Sequence, residues 1–240
     1  MQRLFVNEII GDEVVLDGEQ SRHIAKSLRM RVGDMLMLCD GNANDYGSII
    51  EEITKDSVRL KICYKQVSEQ EPSCCVTIYQ GVPKSSKLED IIQKCVELGV
   101  TRIVPTLTKR CVSRPDEKSG ARKNTRYNKI ALEAAQQSGR GIVPQIDDIV
   151  TLKQAVAEDD SEIKIVFYEG GGEALRNIVK PDTKSVSIYI GPEGGFEESE
   201  VELIEANGGN RATLGKRILR TQTAPVAALT AIMLLTDNLE

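Results

Sequence analysis

The first 70 residues alternate short apolar clusters with turn signals. Clusters at Leu4–Val6, Val14–Leu16, Met35–Cys39, Ser48–Ile53 and Val58–Cys63 are separated by Gly11-Asp12, Gly33-Asp34 and Asp40-Gly41-Asn42. Strands of this length between such turns predict a small β-barrel. One helix fits at about 19–30, with Ile24, Leu28 and Met30 inward and Arg22, Lys26 and Arg29 outward. The polar stretch Val67–Ser73, with Pro72 inside it, reads as a linker.

From residue 74 the rhythm changes to strands alternating with helices. Strand-like CCVTIYQG precedes an amphipathic helix over 85–99 that Gly99 stops. Strand-like Thr101–Leu107 leads into a basic loop, and a helix runs through Asn124–Ser138. A short helix near 151–157, strands at Ile163–Tyr168, Val186–Ile190 and Arg211–Leu214, and a helix over 197–206 with an acidic first turn complete the pattern. That alternation predicts a parallel sheet covered on both faces. The last helix, about 222–236, is apolar almost all round and must be buried, inside its domain or against a second subunit. The expected organisation is therefore a barrel over 1–71 and an α/β domain over 74–240.

Three glycine-containing turns, Glu169–Gly172, Gly191–Gly195 and Gly215, each follow a strand-like segment. Ligands of open parallel sheets bind outside the carboxyl ends of the strands, where glycine lets backbone approach closely. Any one of these turns reads as an ordinary tight turn; three in one domain point to a site. Neither G-x-G-x-x-G nor G-x-x-x-x-G-K-[ST] occurs, which disfavours a dinucleotide fold and a P-loop. The single histidine, His23, lies in the barrel, so no Ser-His-Asp triad can be assembled. It reads as a structural or RNA-facing residue.

Composition first seems to exclude one partner. The 240 residues hold 31 basic and 36 acidic groups, a net charge of −5, with 40% hydrophobic and 28% charged residues. These values fit a globular protein and exclude wholesale disorder or a small disulfide scaffold. No apolar run approaches the ~18 residues of a membrane span, and the N-terminal residues lack a signal-like apolar core. Six cysteines without a C-x-x-C pair leave no zinc site and read as reduced thiols in a cytoplasmic protein. The acidic total argues against nucleic acid, yet its distribution does not. Residues 71–140 carry 13 basic and 7 acidic groups, and residues 141–240 carry 9 and 17. Two stretches, 22–31 and 109–129, concentrate Lys and Arg. They are either solvated surface and a flexible loop or a phosphate-binding surface.

Several ordered motifs resemble one family. Ile190-Gly191-Pro192-Glu193-Gly194-Gly195-Phe196 and Leu214-Gly215-Lys216-Arg217-Ile218-Leu219-Arg220-Thr221-Gln222-Thr223-Ala224 are similar to motifs of the RsmE-type methyltransferases, members of the SPOUT class. Lys94–Val100 (KCVELGV), Glu133–Arg140 (EAAQQSGR) and the run from His23 to Leu28-Arg29 agree, so the resemblance spans almost the whole chain. It implies a PUA-like RNA-binding barrel and a C-terminal α/β trefoil knot. It further implies S-adenosyl-L-methionine as methyl donor, methylation of a uridine N3 in small-subunit (16S) ribosomal RNA, and a homodimer through the knotted domain.

The same resemblance assigns residues. Donor binding falls to Tyr168, Glu169, Gly191, Glu193, Gly194, Gly195, Leu214, Gly215, Ile218, Leu219, Thr223 and Ala224. Arg220 and Arg140 are the candidate catalytic cations, placed to stabilise a uracil anion. The basic residues themselves, rather than the resemblance, suggest RNA contacts at Arg3, Arg22, His23, Lys26, Arg29 and Arg31 on the barrel, and at Lys109, Arg110, Arg114, Arg122, Lys123 and Arg126 on a mobile arm of the α/β domain. The family usually has Glu where Gln222 stands; a Gln keeps the hydrogen-bonding shape without the charge, so Gln222 reads as a structural or ribose-facing group. Glu193 either faces the ligand or caps the following helix. A non-catalytic RNA-binding protein of this architecture, a generic α/β enzyme, and a methyltransferase for another RNA position are the alternatives.

Overall fold

The computed structural model describes residues 1–6, 9 and 11–239. The chain forms two compact units, residues 1–71 with 135–143, and residues 72–134 with 144–240. The first unit thus takes in a return segment that a single cut between 71 and 74 does not include.

The first unit holds β1 (Gln2–Phe5), β2 (Glu13–Asp17), α1 (Gly18–Arg22), β3 (Met35–Cys39), β4 (Asn44–Ile53) and β5 (Ser57–Val67). They form a five-stranded mixed sheet ordered β1-β3-β4-β5-β2, with β1 parallel to β3 and the other pairs antiparallel. Alternation is plain in β2, where Val14 and Leu16 are buried and Val15 is exposed. Register shifts at Gly47/Ser48 and Ile50/Glu52 bend the long β4–β5 pair, so the sheet curls around Leu4, Leu16, Ile24, Leu36, Leu38 and Leu60. The expected helix over 19–30 is shorter. α1 runs into a π-helical turn, His23–Ser27, and Arg29 adopts a φ of 54°, which no helix can continue through.

The second unit holds β6 (Cys75–Gly81), α2 (Lys87–Glu97), β7 (Arg102–Leu107), α3 (Glu117–Ser138, its last four residues in the first unit), β8 (Gln145–Ile146), β9 (Val150–Thr151), α4 (Leu152–Glu158), β10 (Ile163–Phe167), β11 (Glu173–Ala174), α5 (Leu175–Ile178), β12 (Ser185–Ile190), α6 (Glu198–Ala206), β13 (Gly209–Thr213) and α7 (Ala224–Leu235). All pairings are parallel, in the order β11-β13-β10-β12-β6-β7-β8, with β9 also on β7. One face packs Tyr79, Val104, Val166 and Tyr189 against α4 and α6. The other carries α2 and α7, which buries Ala228, Leu229, Ile232 and Met233. This is the covered parallel sheet that the strand–helix alternation predicts.

Two local solutions matter. Asp159, 7% exposed, ends α4 and accepts hydrogen bonds from Ser187 Oγ (2.5 Å) and Tyr189 Oη (2.7 Å). Tyr189 stacks on Tyr79 at 4.6 Å, and burial, then Asp159, pushes its phenol far above its ordinary pKa. The basic stretch differs from expectation. α3 begins at Glu117 because Asp116 Oδ1 accepts from the Ser119 amide at 2.8 Å, an N-terminal cap. Lys118, Arg122 and Lys123 therefore ride on a helix, not on a mobile arm.

Candidate functional site

β13, β10 and β12 are neighbours in a parallel sheet, so the turns that follow them open on the same edge. Phe167–Glu169 from the first turn, Ile190–Phe196 from the second, and Thr213–Gln222 with Ala224 from the third surround a cleft of about 400 Å³. Lys87, at the start of α2, completes it. Such a volume suits a ligand of cofactor size.

The second turn is pressed against the sheet. A Cβ on Gly81 would lie 2.6 Å from the Pro192 nitrogen, and one on Gly191 would lie 3.0 Å from Gly195. A side chain at Gly81 would force the turn to shift, and one at Gly191 would crowd Gly195. Glu193 latches the turn from outside: its Oε1 accepts from the Lys84 amide (3.1 Å) and from Lys87 Nζ (2.7 Å). Burial alone would raise its pKa, but Lys87 and the backbone donors outweigh it and hold the carboxyl below the usual range. Glu193 therefore does not cap α6; Glu197 does, in a reciprocal box with Glu200. Arg110 Nη1 donates to the Gly194 carbonyl at 2.8 Å.

The first turn is held by a cation. Arg211 pairs with Glu198 and Glu205 and lies 5.3 Å from the Tyr168 ring centre. In the third turn, Leu214 and Leu219 are half-buried while Ile218 is 82% exposed. Thr221 Oγ1 donates to the Gly191 carbonyl at 2.9 Å. Gln222 Nε2 points to Asp90 Oδ2 at 3.4 Å, a pairing a charged Glu would forfeit.

Of the residues assigned to a donor site, Tyr168, Glu169, Gly191, Glu193, Gly195, Leu214, Gly215, Ile218, Leu219 and Ala224 line the cleft, and so does Arg220. Gly194 and Thr223 sit in the same turns without lining it. Arg140 is not among the lining residues. It is 3% exposed, bound to Glu71 at 2.6 Å, and its carbonyl accepts from Arg3 Nη1. A guanidinium committed to a buried carboxylate is unavailable to a substrate, which removes Arg140 from the catalytic candidates. Lys87, Lys216, Arg217 and Thr221 line the cleft unforeseen. The last three lie in the quoted motif; for Lys87 no sequence signal existed.

The basic residues divide. Arg22, His23, Lys26, Arg29 and Arg31 are exposed. Arg3 is not an RNA-facing residue, because it forms a two-pronged bond with the fully buried Asp45. Lys109 is engaged by Glu197 and Ser199, Arg114 by the Thr108 carbonyl, and Arg126 by Glu89. Among the described residues, Arg122, Lys123, Lys216, Arg217 and Arg220 make no ion pair. At the cleft, the third turn supplies Lys216, Arg217 and Arg220 without a carboxylate partner among the described residues, whereas Arg110 and Arg114 donate to backbone carbonyls and Lys109 is paired with Glu197.

Residues 69–233 match the family model of the RNA methyltransferase domain, and residues 16–63 that of the RNA methyltransferase PUA domain. Ribosomal RNA small subunit methyltransferase E of Bacillus subtilis is 36% identical, over 100% of this chain and 98% of its own. That of Synechocystis is 32% identical, over 96% and 76%. The crystal structure of a ribosomal RNA small subunit methyltransferase E from Neisseria gonorrhoeae, bound to S-adenosyl methionine, superposes with a TM-score of 0.90 at 30% identity, covering 98% of each chain. The chain belongs to this family, the ribosomal RNA small subunit methyltransferases E.

Proposed function

We propose that this protein transfers a methyl group from S-adenosylmethionine to N3 of a uridine in 16S ribosomal RNA of the small subunit. The observation that carries the proposal is the cleft: ten of the twelve residues assigned to the donor line it, and a relative of the same build holds S-adenosyl methionine. Its chemistry fits the donor. Glycine-turn backbone offers polar groups, Leu214, Ile218 and Leu219 offer apolar surface to an adenine, and Glu169 offers a carboxylate to hydroxyls or an amine.

When bound, the donor supplies an electrophilic methyl on a sulfonium. The chain has to orient that methyl in line with the nucleophile, and positioning supplies much of the rate. Uracil N3 is a weakly acidic imide and attacks better as its anion. Arg220, exposed at the cleft and unpaired, is placed to stabilise that anion electrostatically.

RNA docking is supported by the exposed Arg22, Lys26, Arg29 and Arg31 and by the unpaired Lys216 and Arg217. The target base is to be splayed out into the cleft. A trefoil knot is supported by the path of residues 214–223. The chain leaves the outlying β13, returns to the centre of the sheet where Thr221 meets Gly191, and only then enters α7. Val226, Ala227, Ala231 and Leu234 leave an apolar outer face on α7, which supports a homodimer. No helix among the described residues is long and apolar enough to cross a membrane; the proposed place of action is the cytoplasm, where small subunits are assembled.

Mass spectrometry of 16S RNA from cells with and without the protein tests the proposal. Loss of one N3-methyluridine is the expected result. Loss of a different methyl would move the target, and no loss would leave an RNA-binding protein.

A further inference from the structure

The geometry points to Gln80 and Thr221 as positioning residues that fix the two sides of the cleft together. The inference rests on the cleft being the S-adenosylmethionine site. Gln80 is the penultimate residue of β6, beside Ile190 of β12, and is fully buried. Its Nε2 donates twice, to the Gly81 carbonyl at 3.0 Å and to Thr221 Oγ1 at 3.1 Å. Thr221 passes the chain of bonds on by donating to the Gly191 carbonyl at 2.9 Å. One arm ends on Gly191 of the glycine turn and the other on Gly81 of β6, against which Pro192 of that turn is pressed.

The amide's own stability does not explain its place. Gln80 Oε1 is buried without a hydrogen-bond partner, one of two such atoms among the described residues. Buried polar atoms are nearly always paired, and the exceptions cluster where function demands them. An apolar side chain would fill the same volume without that orphan, so the reason for an amide lies in what Nε2 holds. What it holds is a threonine near the end of the third turn, directly after Arg220 and just before α7. The Arg220 carbonyl accepts from the amides of Thr223 and Ala224, so the segment around Thr221 is itself a tight turn. Anchoring Thr221 to Gly191 therefore sets where Leu219 and Arg220 stand relative to the glycine turn. A cofactor that must touch both turns at once feels that spacing directly.

The test is calorimetric titration of the full chain with S-adenosylmethionine, with melting temperatures measured alongside. Thr221→Val keeps the shape and removes the hydroxyl; Gln80→Asn keeps the amide but retracts it by one methylene. Each is expected to weaken cofactor binding about tenfold, and the double variant to be no weaker than either single one, as members of one relay behave. Thr221→Ser is expected to bind within about twofold of the wild type, a rescue that a purely packing role for the threonine methyl would not give. In turnover assays the same variants should raise KM for the cofactor more than they lower kcat. Either Thr221→Val or Gln80→Asn binding as tightly as the wild type overturns the relay. A wild type that does not bind the cofactor at all overturns the cofactor reading, and the relay with it.

Discussion

Glu193 and Arg220 show how little of a side chain's role is set by its type. Both are charged residues of the cleft, yet one is bonded on two sides and the other is free. Replacing Arg220 by Ala removes no side-chain hydrogen bond or ion pair among the described residues, so the variant should melt normally while kcat drops by roughly 10²-fold, the scale of a lost electrostatic stabiliser; methyl transfer to small subunits measures it. Glu193 behaves oppositely. Its carboxyl is held below the ordinary range, so its contribution to stability is complete above that range and is lost as pH falls through the lowered value. Between about pH 6 and pH 3 the wild type should therefore lose stability more steeply than Glu193→Gln, in denaturant titrations at each pH. The buried thiols titrate at the other extreme: burial pushes Cys95 up to about 12, which leaves it inert at neutral pH.

Elements were legible to the degree that local periodicity decided them. β2 and α2 follow from alternation and from a stop at Gly99, and the three glycine turns were read in their right places because strand ends and glycines are both local marks. α3 was misjudged at its start. Residues 117–123 have no apolar face, and the helix there rests on one side-chain cap at Asp116, a signal that is easily lost in a charged run. The pairings of Arg140 and Arg3 are hidden from the sequence for a different reason. Both are cations whose partners, Glu71 and Asp45, are 69 and 42 positions away, and no local pattern announces such a pairing. The glycine turn gives a sharp prediction at this scale. Gly81→Ala puts a methyl 2.6 Å from the Pro192 nitrogen, so the turn must move. The variant should retain its helical circular dichroism and lose most of its cofactor affinity, by calorimetry; an affinity within twofold of the wild type would show that the turn has slack.

For the molecule as a whole, the net charge of −5 hides an uneven placement of charge. Acidic residues dominate 141–240, and four of them pair with Arg211, Lys109 and Lys87, while the exposed cations of 22–31 and 216–220 make no ion pair among the described residues. RNA affinity should fall steeply with salt, with a log–log slope of several units, since each released counterion contributes about 0.7 to 0.9. Filter binding across a salt series measures the slope, and neutralising Lys216 and Arg217 should shrink it by one to two. The all-parallel sheet has one more consequence. Its central strand β6 lies between β7 and β12, and Cys75 pairs with Ser185, 110 positions later in the chain. At a synthesis rate of roughly 5–20 residues per second, that edge waits about 5–20 seconds for its partner to be made. During that interval the nascent β6 exposes an unpaired apolar strand next to the ribosome that is making it. An enzyme that methylates ribosomal RNA thus begins life as a client for whatever shields unfinished chains at the ribosome.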